Sequence, residues 1–372
     1  MKRVLQIVAD GNPGGGTTNV LALLGDLARH GGFELAFIVQ EGSYALREAD
    51  KLGVETRGLD FAHSRVSFAA ARALRVAVDE LAPDLVHVHG SRAGFFLAWA
   101  PRGGGFPPVA YTVRGYHFLG KPHPVRELAA LAERFAHMRA DASVHVCRYD
   151  AALADRWHLV PSGALRAVIY NGLDPAELPR AANTDLRTIA FLGRLSHQKD
   201  PELLAEIAAG LARAGYRLRV IGGGEAEAGF AARLRELGIA GAVELLGALP
   251  RAQALEELAS AGALVLPSRW EGLPIAPIEA MAIGVPVVAA NVSGLPEIVE
   301  SGVTGELVDG RAAAPYVAAL RRLCEDLPLR ARTIVAARVA VEKRFLRARN
   351  LEAHVDLYAS LLDANRSRTR AR

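Results

Sequence analysis

The feature that most constrains what this chain can fold into is an alternation that occurs twice. Short runs rich in Val, Ile and Leu are each followed by a longer stretch rich in Ala, Leu and Arg. Residues 4–9, 34–40, 85–89, 109–113, 142–146 and 166–170 read as strands, with helices over 18–30, 67–81, 125–140 and 150–159. After the turn Asn171-Gly172-Leu173-Asp174-Pro175 and a polar stretch to about residue 185, the pattern restarts. Strands are expected near 188–193, 217–222, 243–246, 263–267 and 287–290, with helices near 201–213, 228–237, 253–259 and 277–283. Such alternation requires a mostly parallel sheet covered on both faces. Two runs of it in 372 residues, more than one core usually grows to, imply two α/β domains. We place them at 1–172 and 173–345, with a C-terminal helix and basic tail over 346–372; residues 315–362 read as helical and the last ten as frayed. One very large sheet is the alternative.

Composition narrows the class. Apolar residues make up 51% and charged residues 23%, the balance of a globular enzyme rather than a disordered chain. A net charge of +4 is too small an excess to point to nucleic acid. Cys147 and Cys324 form neither a disulfide framework nor a metal pair, which fits a reducing compartment. The opening run is broken by Gln6 and ended by Asp10, so it does not read as a secretion signal. The stretch 275–290 holds Glu279, Gly284 and two prolines, and no segment reaches the roughly 18 apolar residues of a spanning helix. The expected place is the cytoplasm, with contact at the inner face of a membrane left open.

Several strand ends carry residues suited to chemistry. Gly14-Gly15-Gly16 follows the first strand and opens the first helix, a phosphate or sugar site in outline and equally a plain flexible turn. His87 and His89 point to one side of their strand. A metal pair and a strand-end pair lining a cleft are both readings of them; no third ligand is at hand, and no metal is assigned. Arg114, Tyr116 and His117 flank Gly115 after the next strand, at the sheet edge where open α/β folds bind ligands. In the second half, Gly193-Arg194 and Lys199 put two cations on one loop, which suits a diphosphate. Gly222-Gly223-Gly224-Glu225 repeats the strand-then-glycine device.

The richest segment runs from Leu266 to Ala289. A buried strand ends at Ser268, a loop carries Glu271, Gly272 and Leu273, and a helix is expected from Ile275 to Gly284. The first amides of that helix, around Ile275 and Ala276, are free to hold phosphate oxygens. Glu279, one turn in, can accept from two neighbouring ribose hydroxyls.

Together these residues resemble the retaining nucleotide-sugar glycosyltransferases of family 4, which have the GT-B fold. The elements that carry the likeness are Gly193-Arg194-Leu195 with Lys199, Gly222 to Glu225, Val243 to Gly247, the Glu271 and Glu279 pair, and Gly294-Leu295-Pro296-Glu297. The likeness implies two Rossmann-like domains facing across a cleft, with Leu351, Val355 and Tyr358 of the C-terminal helix packing back on the N-terminal domain. That domain would take the acceptor and the other the nucleotide-sugar. Arg194 and Lys199 would hold the donor diphosphate, aided by amides near Gly15, Gly16, Ile275 and Ala276. Glu271 would bond sugar hydroxyls and Glu279 the ribose, while Gly223, Glu225, Gly272 and Leu273 border the donor. The implied chemistry is retaining transfer without a metal or cofactor, from a UDP or GDP sugar. The two glutamates are not read as a glycosidase pair.

One position departs from the pattern. Relatives with a similar loop, many of them building bacterial polysaccharide on a lipid carrier, tend to read Thr-x-His-Gly-Phe-His-Phe. Here Thr112, Gly115, His117 and Phe118 match but the first His is Arg114. Either Arg114 or His117 serves the reacting centre, or the donor or acceptor differs; an anionic sugar, an acceptor phosphate and reduced activity all fit. The acceptor side is assigned to His89, Arg114, Tyr116 and His117, with a glycan or a lipid diphosphate as partner. The loop 118–126 fits a membrane surface and an ordinary exposed loop equally. A nucleotide-sugar epimerase and a catalytically impaired binding homologue are the alternatives. Nucleic acid is not an expected partner, and oligomeric state is not assigned.

Overall fold

The computed structural model describes residues 1–61, 67–100, 106–181 and 184–370, without the side chains of His117 and of 367–370. The chain divides into two compact units, one of residues 1–171 with the C-terminal segment from Arg347, the other of residues 172–346.

In the first unit the order is β1 (Lys2–Val8), α1 (Gly15–His30), β2 (Phe33–Gln40), α2 (Tyr44–Asp50), β3 (Glu55–Leu59), α3 (Phe68–Leu81), β4 (Leu85–His89) and α4 (Ser91–Trp99). It continues with β5 (Val109–Val113), α5 (Val125–His137), β6 (Ala142–His145), α6 (Arg148–Arg156) and β7 (Leu165–Val168). The seven strands pair in parallel in the order β3-β2-β1-β4-β5-β6-β7. In the second unit come β8 (Asp185–Leu192), α7 (Pro201–Arg213), β9 (Arg217–Ile221), α8 (Glu227–Glu236), β10 (Val243–Gly247) and α9 (Arg251–Ala259). Then follow β11 (Ala261–Leu266), α10 (Ile275–Ile283), β12 (Val287–Ala290), β13 (Glu306–Val308), α11 (Ala313–Glu325) and α12 (Leu327–Arg344). This sheet is also parallel, in the order β10-β9-β8-β11-β12-β13.

These strands are apolar on both faces because helices cover both. Every residue of β4, β5 and β11 is buried. In each sheet the winding direction reverses once, between β1 and β4 and between β8 and β11. The crevice beyond the carboxyl ends of those strand pairs is where such folds bind ligands. Gly14, His89, Gly193 and Ser268 all lie there, each just past or at the end of one of the four strands.

The last helix, α13 (Arg347–Arg370), belongs to the first unit. Leu357, Tyr358 and Leu361 are buried in one cluster with Val4, Leu24 and Phe37, and Leu351 and Val355 pack against it. The Arg347 guanidinium anchors the start of the helix to Asp26, Nε to Oδ2 at 3.0 Å. The helix runs on through the basic end, where the sequence reading expects a frayed tail. Four elements are absent from that reading. α2, α4 and β13 are short, and β3 is an edge strand of sequence Glu-Thr-Arg-Gly-Leu without an apolar run. No helix among the described residues is long and apolar enough to cross a membrane.

Candidate active site

The second unit builds its edge from two interlocked glycine loops. The Gly193 amide donates to the Ile221 carbonyl at 3.0 Å, and the Leu195 amide to the Gly223 carbonyl at 3.0 Å. Gly222 sits at φ +126°, and a Cβ there would lie 2.2 Å from the Gly193 carbonyl oxygen. A Cβ on Gly224 would lie 2.3 Å from the Leu195 oxygen. These glycines therefore let one loop lie against the other, and only Gly223 leaves its nearest neighbour a side-chain atom, Glu227 Oε2.

Lys199 ends a short 3-10 turn over His197–Lys199. Its Nζ donates to Glu271 Oε1 at 2.5 Å. The same oxygen accepts from Ser268 Oγ at 2.7 Å, and Oε2 accepts from Gln198 Nε2 at 3.1 Å. Gln198 also donates to the Trp270 carbonyl at 3.0 Å. Glu271 is buried, so an unpartnered carboxylate there would be costly, and three donors offset its lost hydration.

Beyond the loop, α10 starts at Ile275 with Pro274 before it, no side-chain cap and no acidic residue in its first turn. The amides of Ile275 and Ala276 are thus free of intrahelical partners at the positive end of the helix. Gly272 and Leu273 are buried beneath them. Glu279, also buried, is ion-paired with Arg251, Nη2 to Oε1 at 2.6 Å. Burial pushes its carboxyl up from the usual range and Arg251 opposes the shift. Arg194 and Glu225 are exposed. Asp200, at φ +57°, caps α7 and pairs with Arg269 and Arg311 beneath the Lys199 turn.

The structure adds two pairings to the sequence reading. The sequence reading assigns Lys199 and Glu271 to different parts of the donor, whereas in the free protein they neutralise each other. Likewise Glu279 is paired with Arg251, which that reading omits. It also omits Gln198, Ser268 and Asp200, although all three sit in the segments it singles out.

The first unit presents a different arrangement. His87 and His89 are buried, and all four ring nitrogens are engaged, which leaves neither histidine for a metal or for an acceptor. The contacts form a chain. Arg114 Nη2 lies 3.2 Å from His89 Nδ1, and His89 Nε2 lies 2.7 Å from Gln6 Oε1. Gln6 Nε2 is 2.8 Å from the Tyr358 hydroxyl, which is 2.6 Å from His87 Nδ1. His87 Nε2 is 2.7 Å from Thr112 Oγ1. Arginine can only donate, so His89 accepts at Nδ1 and donates at Nε2. Gln6 in turn donates to the Tyr358 hydroxyl, and His87 links that hydroxyl to Thr112. Burial holds both histidines well below their ordinary value, so both rings are neutral.

Tyr116 is a correction. Instead of facing an acceptor it is buried, packs on Phe118, and has its hydroxyl 2.8 Å from His137 Nε2 and 3.1 Å from His145 Nε2. His89 is a second: it stands behind Arg114, held by Gln6. The side chain of His117 lies outside the described residues. Gly15 and Gly16 are exposed in the first turn of α1, which has no side-chain cap. Gln6, Asn350, His354 and Tyr358 escape the sequence reading as site residues. Their signals are a glutamine inside an apolar strand and a polar stripe four residues apart on the C-terminal helix.

Comparison with known proteins decides the family. The model for glycosyl transferases group 1 matches residues 178–340, and that for a glycosyl transferase 4-like domain matches 14–172. The D-inositol 3-phosphate glycosyltransferase of Thermomonospora curvata is 31% identical over 308 residues, 73% of this chain and 69% of that one. The chain belongs to the group 1 glycosyltransferases. The namesake from Segniliparus rotundus is 34% identical over 248 residues, 60% of this chain and 53% of that one. The chain spans about half the length of the first curated relatives it matches. Among solved structures, sucrose-phosphate synthase from Thermosynechococcus elongatus superposes with a TM-score of 0.84 at 19% identity, covering 98% of this chain and all of that one. Anabaena Alr3699/HepE, solved with UDP and glucose, has a TM-score of 0.81 at 19% identity, with 97% of this chain and all of that one covered. This family member therefore has the GT-B fold: two parallel α/β sheets of seven and six strands.

Proposed function

We propose that this chain is a retaining, metal-independent glycosyltransferase that takes a sugar from a UDP or GDP sugar. The observation that carries the reading is the edge of the second sheet, where Lys199, Glu271 and the uncapped start of α10 lie on adjoining loops. The second unit takes the donor in this reading, and the first takes the acceptor. The incoming diphosphate competes with Glu271 for Lys199, and Arg194 and the amides of Ile275 and Ala276 add to its hold. Glu271 is then released toward sugar hydroxyls, and Glu279 toward the ribose. In the reaction the bond from C1 to the phosphate oxygen breaks and a bond from C1 to the acceptor oxygen forms on the same face. The acceptor proton passes to the departing phosphate. Fixed cations and amides aimed at that phosphate stabilise the charge it gains, which suits transfer without a metal. The UDP and UDP-glucose of the Anabaena structures support a nucleotide-sugar donor.

For the acceptor we propose a glycan or a lipid-linked diphosphate in bacterial surface-polysaccharide synthesis, at the cytoplasmic face of a membrane. The support is a surface of α3, α4 and α5. Leu128, Leu131 and Met138 are exposed along α5, and Phe68 meets Trp99 at 4.6 Å beside them. Arg72 on α3 and Arg134 on α5 are exposed as well. Leu128→Glu with Leu131→Glu should abolish co-sedimentation with anionic vesicles; sedimentation equal to wild type would remove the membrane from the proposal.

The test of the donor assignment is calorimetric titration of the full chain with UDP and GDP, EDTA present. One nucleotide should bind, with affinity lost at least ten-fold in Lys199→Ala. If neither binds the wild type, the reading fails.

A further inference from the structure

Arg114 is a cation without an anion. Its Nη1 reaches Asn171 Oδ1 at 3.4 Å and its Nη2 reaches His89, while its Nε is shut off from solvent with no partner. Among the described residues it forms no ion pair. It lines a small pocket with Asn19, Thr112, Asn171, Asn350 and His354, and no Asp or Glu lines that pocket. Burial alone moves its guanidinium, down to about 10, and no carboxylate counters that pull. The neighbouring groups cannot take up negative charge. The chain through His89, Gln6, Tyr358 and His87 consists of neutral side chains, and burial holds His354 down at about 4.

A second positive feature lies alongside. A Cβ on Gly16 would be 3.6 Å from Arg114 Cδ, so the guanidinium stem runs beside the first turn of α1. That turn has no capping side chain and no acidic residue, and its first bonded amide is Thr18 to the Gly14 carbonyl at 2.9 Å. A half-buried cation beside the positive end of a helix, with no carboxylate lining its pocket, gains from a negative group that joins them.

We propose that Arg114, beside the first turn of α1, binds an oxyanion carried by the transferred sugar or by the acceptor: a carboxylate or a phosphate ester. The proposal rests on the transferase reading above and adds the class of substrate. The donor diphosphate is not the intended anion, because the second unit already supplies its cations. In Arg114 the chain has a group whose planar fork matches either oxyanion and stays charged at neutral pH.

The test uses the full-length protein and small probes that need no nucleotide. Inorganic phosphate stands for the acceptor phosphate, methyl glucuronoside for the sugar carboxylate, and methyl glucoside for a neutral control. At least one anion should bind the wild type ten-fold more tightly than Arg114→Gln, with Arg114→Lys between them and the neutral glycoside indifferent. Preference for phosphate locates the anion on the acceptor; preference for the glucuronoside locates it on the sugar. Without anions, Arg114→Gln should melt no lower than wild type, since it removes an unpaired charge. Equal anion binding by wild type and Arg114→Gln overturns the proposal. So does weaker UDP or GDP binding in Arg114→Gln, because Arg114 would then serve the diphosphate. If the wild type binds neither nucleotide yet prefers the anions through Arg114, the transferase reading fails and the anion site stands.

Discussion

Around β8 and β11, cations meet carboxylates: Lys199 faces Glu271, Arg251 faces Glu279, and Arg269 and Arg311 share Asp200. Around β1 and β4, Arg114 meets an amide, a neutral imidazole and the bare end of a helix. The first arrangement is neutral before any ligand arrives, so in the proposed reading a diphosphate must displace a carboxylate and in doing so frees it for other work. The second is charged in advance and gains from any anion that fits. On these two proposals, one fold repeated twice makes two kinds of anion site, one by exchange and one by vacancy of charge. The difference lies in whether the loop after the strand carries a glutamate.

The buried charge state also divides the histidines. Residues 172–346 contain His197 alone, and it is exposed. In the first unit, burial lowers His137 to about 3 and His145 and His354 to about 4. All three side chains lie in the unit completed by the C-terminal helix. Their folded values are below the unfolded 6.5, so the stability they contribute is full above pH 6.5 and is lost as pH falls toward 4. At pH 5 the loss is on the order of 2 kcal/mol for each fully buried ring, enough together to rival the stability of a domain. Hydrogen exchange followed from pH 7 to pH 5 should show segments 1–171 and 347–366 losing protection well before 184–340. The reverse order would remove the histidines as the distinguishing feature.

The exchange site predicts a smaller effect, confined to the second unit. Glu271→Ala strands Lys199 in a mostly buried setting and should lower stability by about 3 kcal/mol. It should also lower turnover by roughly a hundred-fold, the usual scale for removing one preorganised polar contact. Lys199→Met with Glu271→Leu should recover most of the stability and none of the turnover. If the double variant is as unstable as the single one, the pair is not what holds this edge together.

The fold was largely legible because a parallel strand buried on both faces must be apolar throughout, as in Leu264-Val265-Leu266. Edge elements were not: β3 needs only one covered face and spells Glu-Thr-Arg-Gly-Leu. At the site, glutamates and cations could be listed from their loops, but their pairing could not, because Lys199 and Glu271 are 72 residues apart and meet only through sheet order. Tyr116 shows the opposite error. An aromatic two residues past a site arginine looks like a ligand contact, yet the chain turns at Gly115, φ +109°, and sends the ring to His137 and His145. The network from Arg114 to Thr112 needs Tyr358, supplied by a helix 244 residues further along the chain than Arg114. Sequence spacing carries no trace of such a contact.

The smallest effect separates the two units by packing rather than charge. Gly94 in α4 and Gly229 in α8 are both helical, and an alanine favours a helix over glycine by roughly 0.5–1 kcal/mol. At Gly229 a new Cβ meets nothing within 4 Å, so that gain should appear in full. At Gly94 the Cβ would lie 2.7 Å from Tyr111 Cε2 and 2.9 Å from its Cζ. The ring cannot withdraw, for it is buried and its hydroxyl donates to the buried Glu133 at 2.9 Å. Moving it would break that bond and leave a buried carboxylate oxygen without its donor. Overpacking of about 1–3 kcal/mol should therefore outweigh the helical gain. Gly229→Ala should raise the unfolding midpoint of the second unit, and Gly94→Ala should lower that of the first. Should both rise, α4 has room to slide on the sheet, and the tight seat for Tyr111 beneath it is not what sets this strand's register.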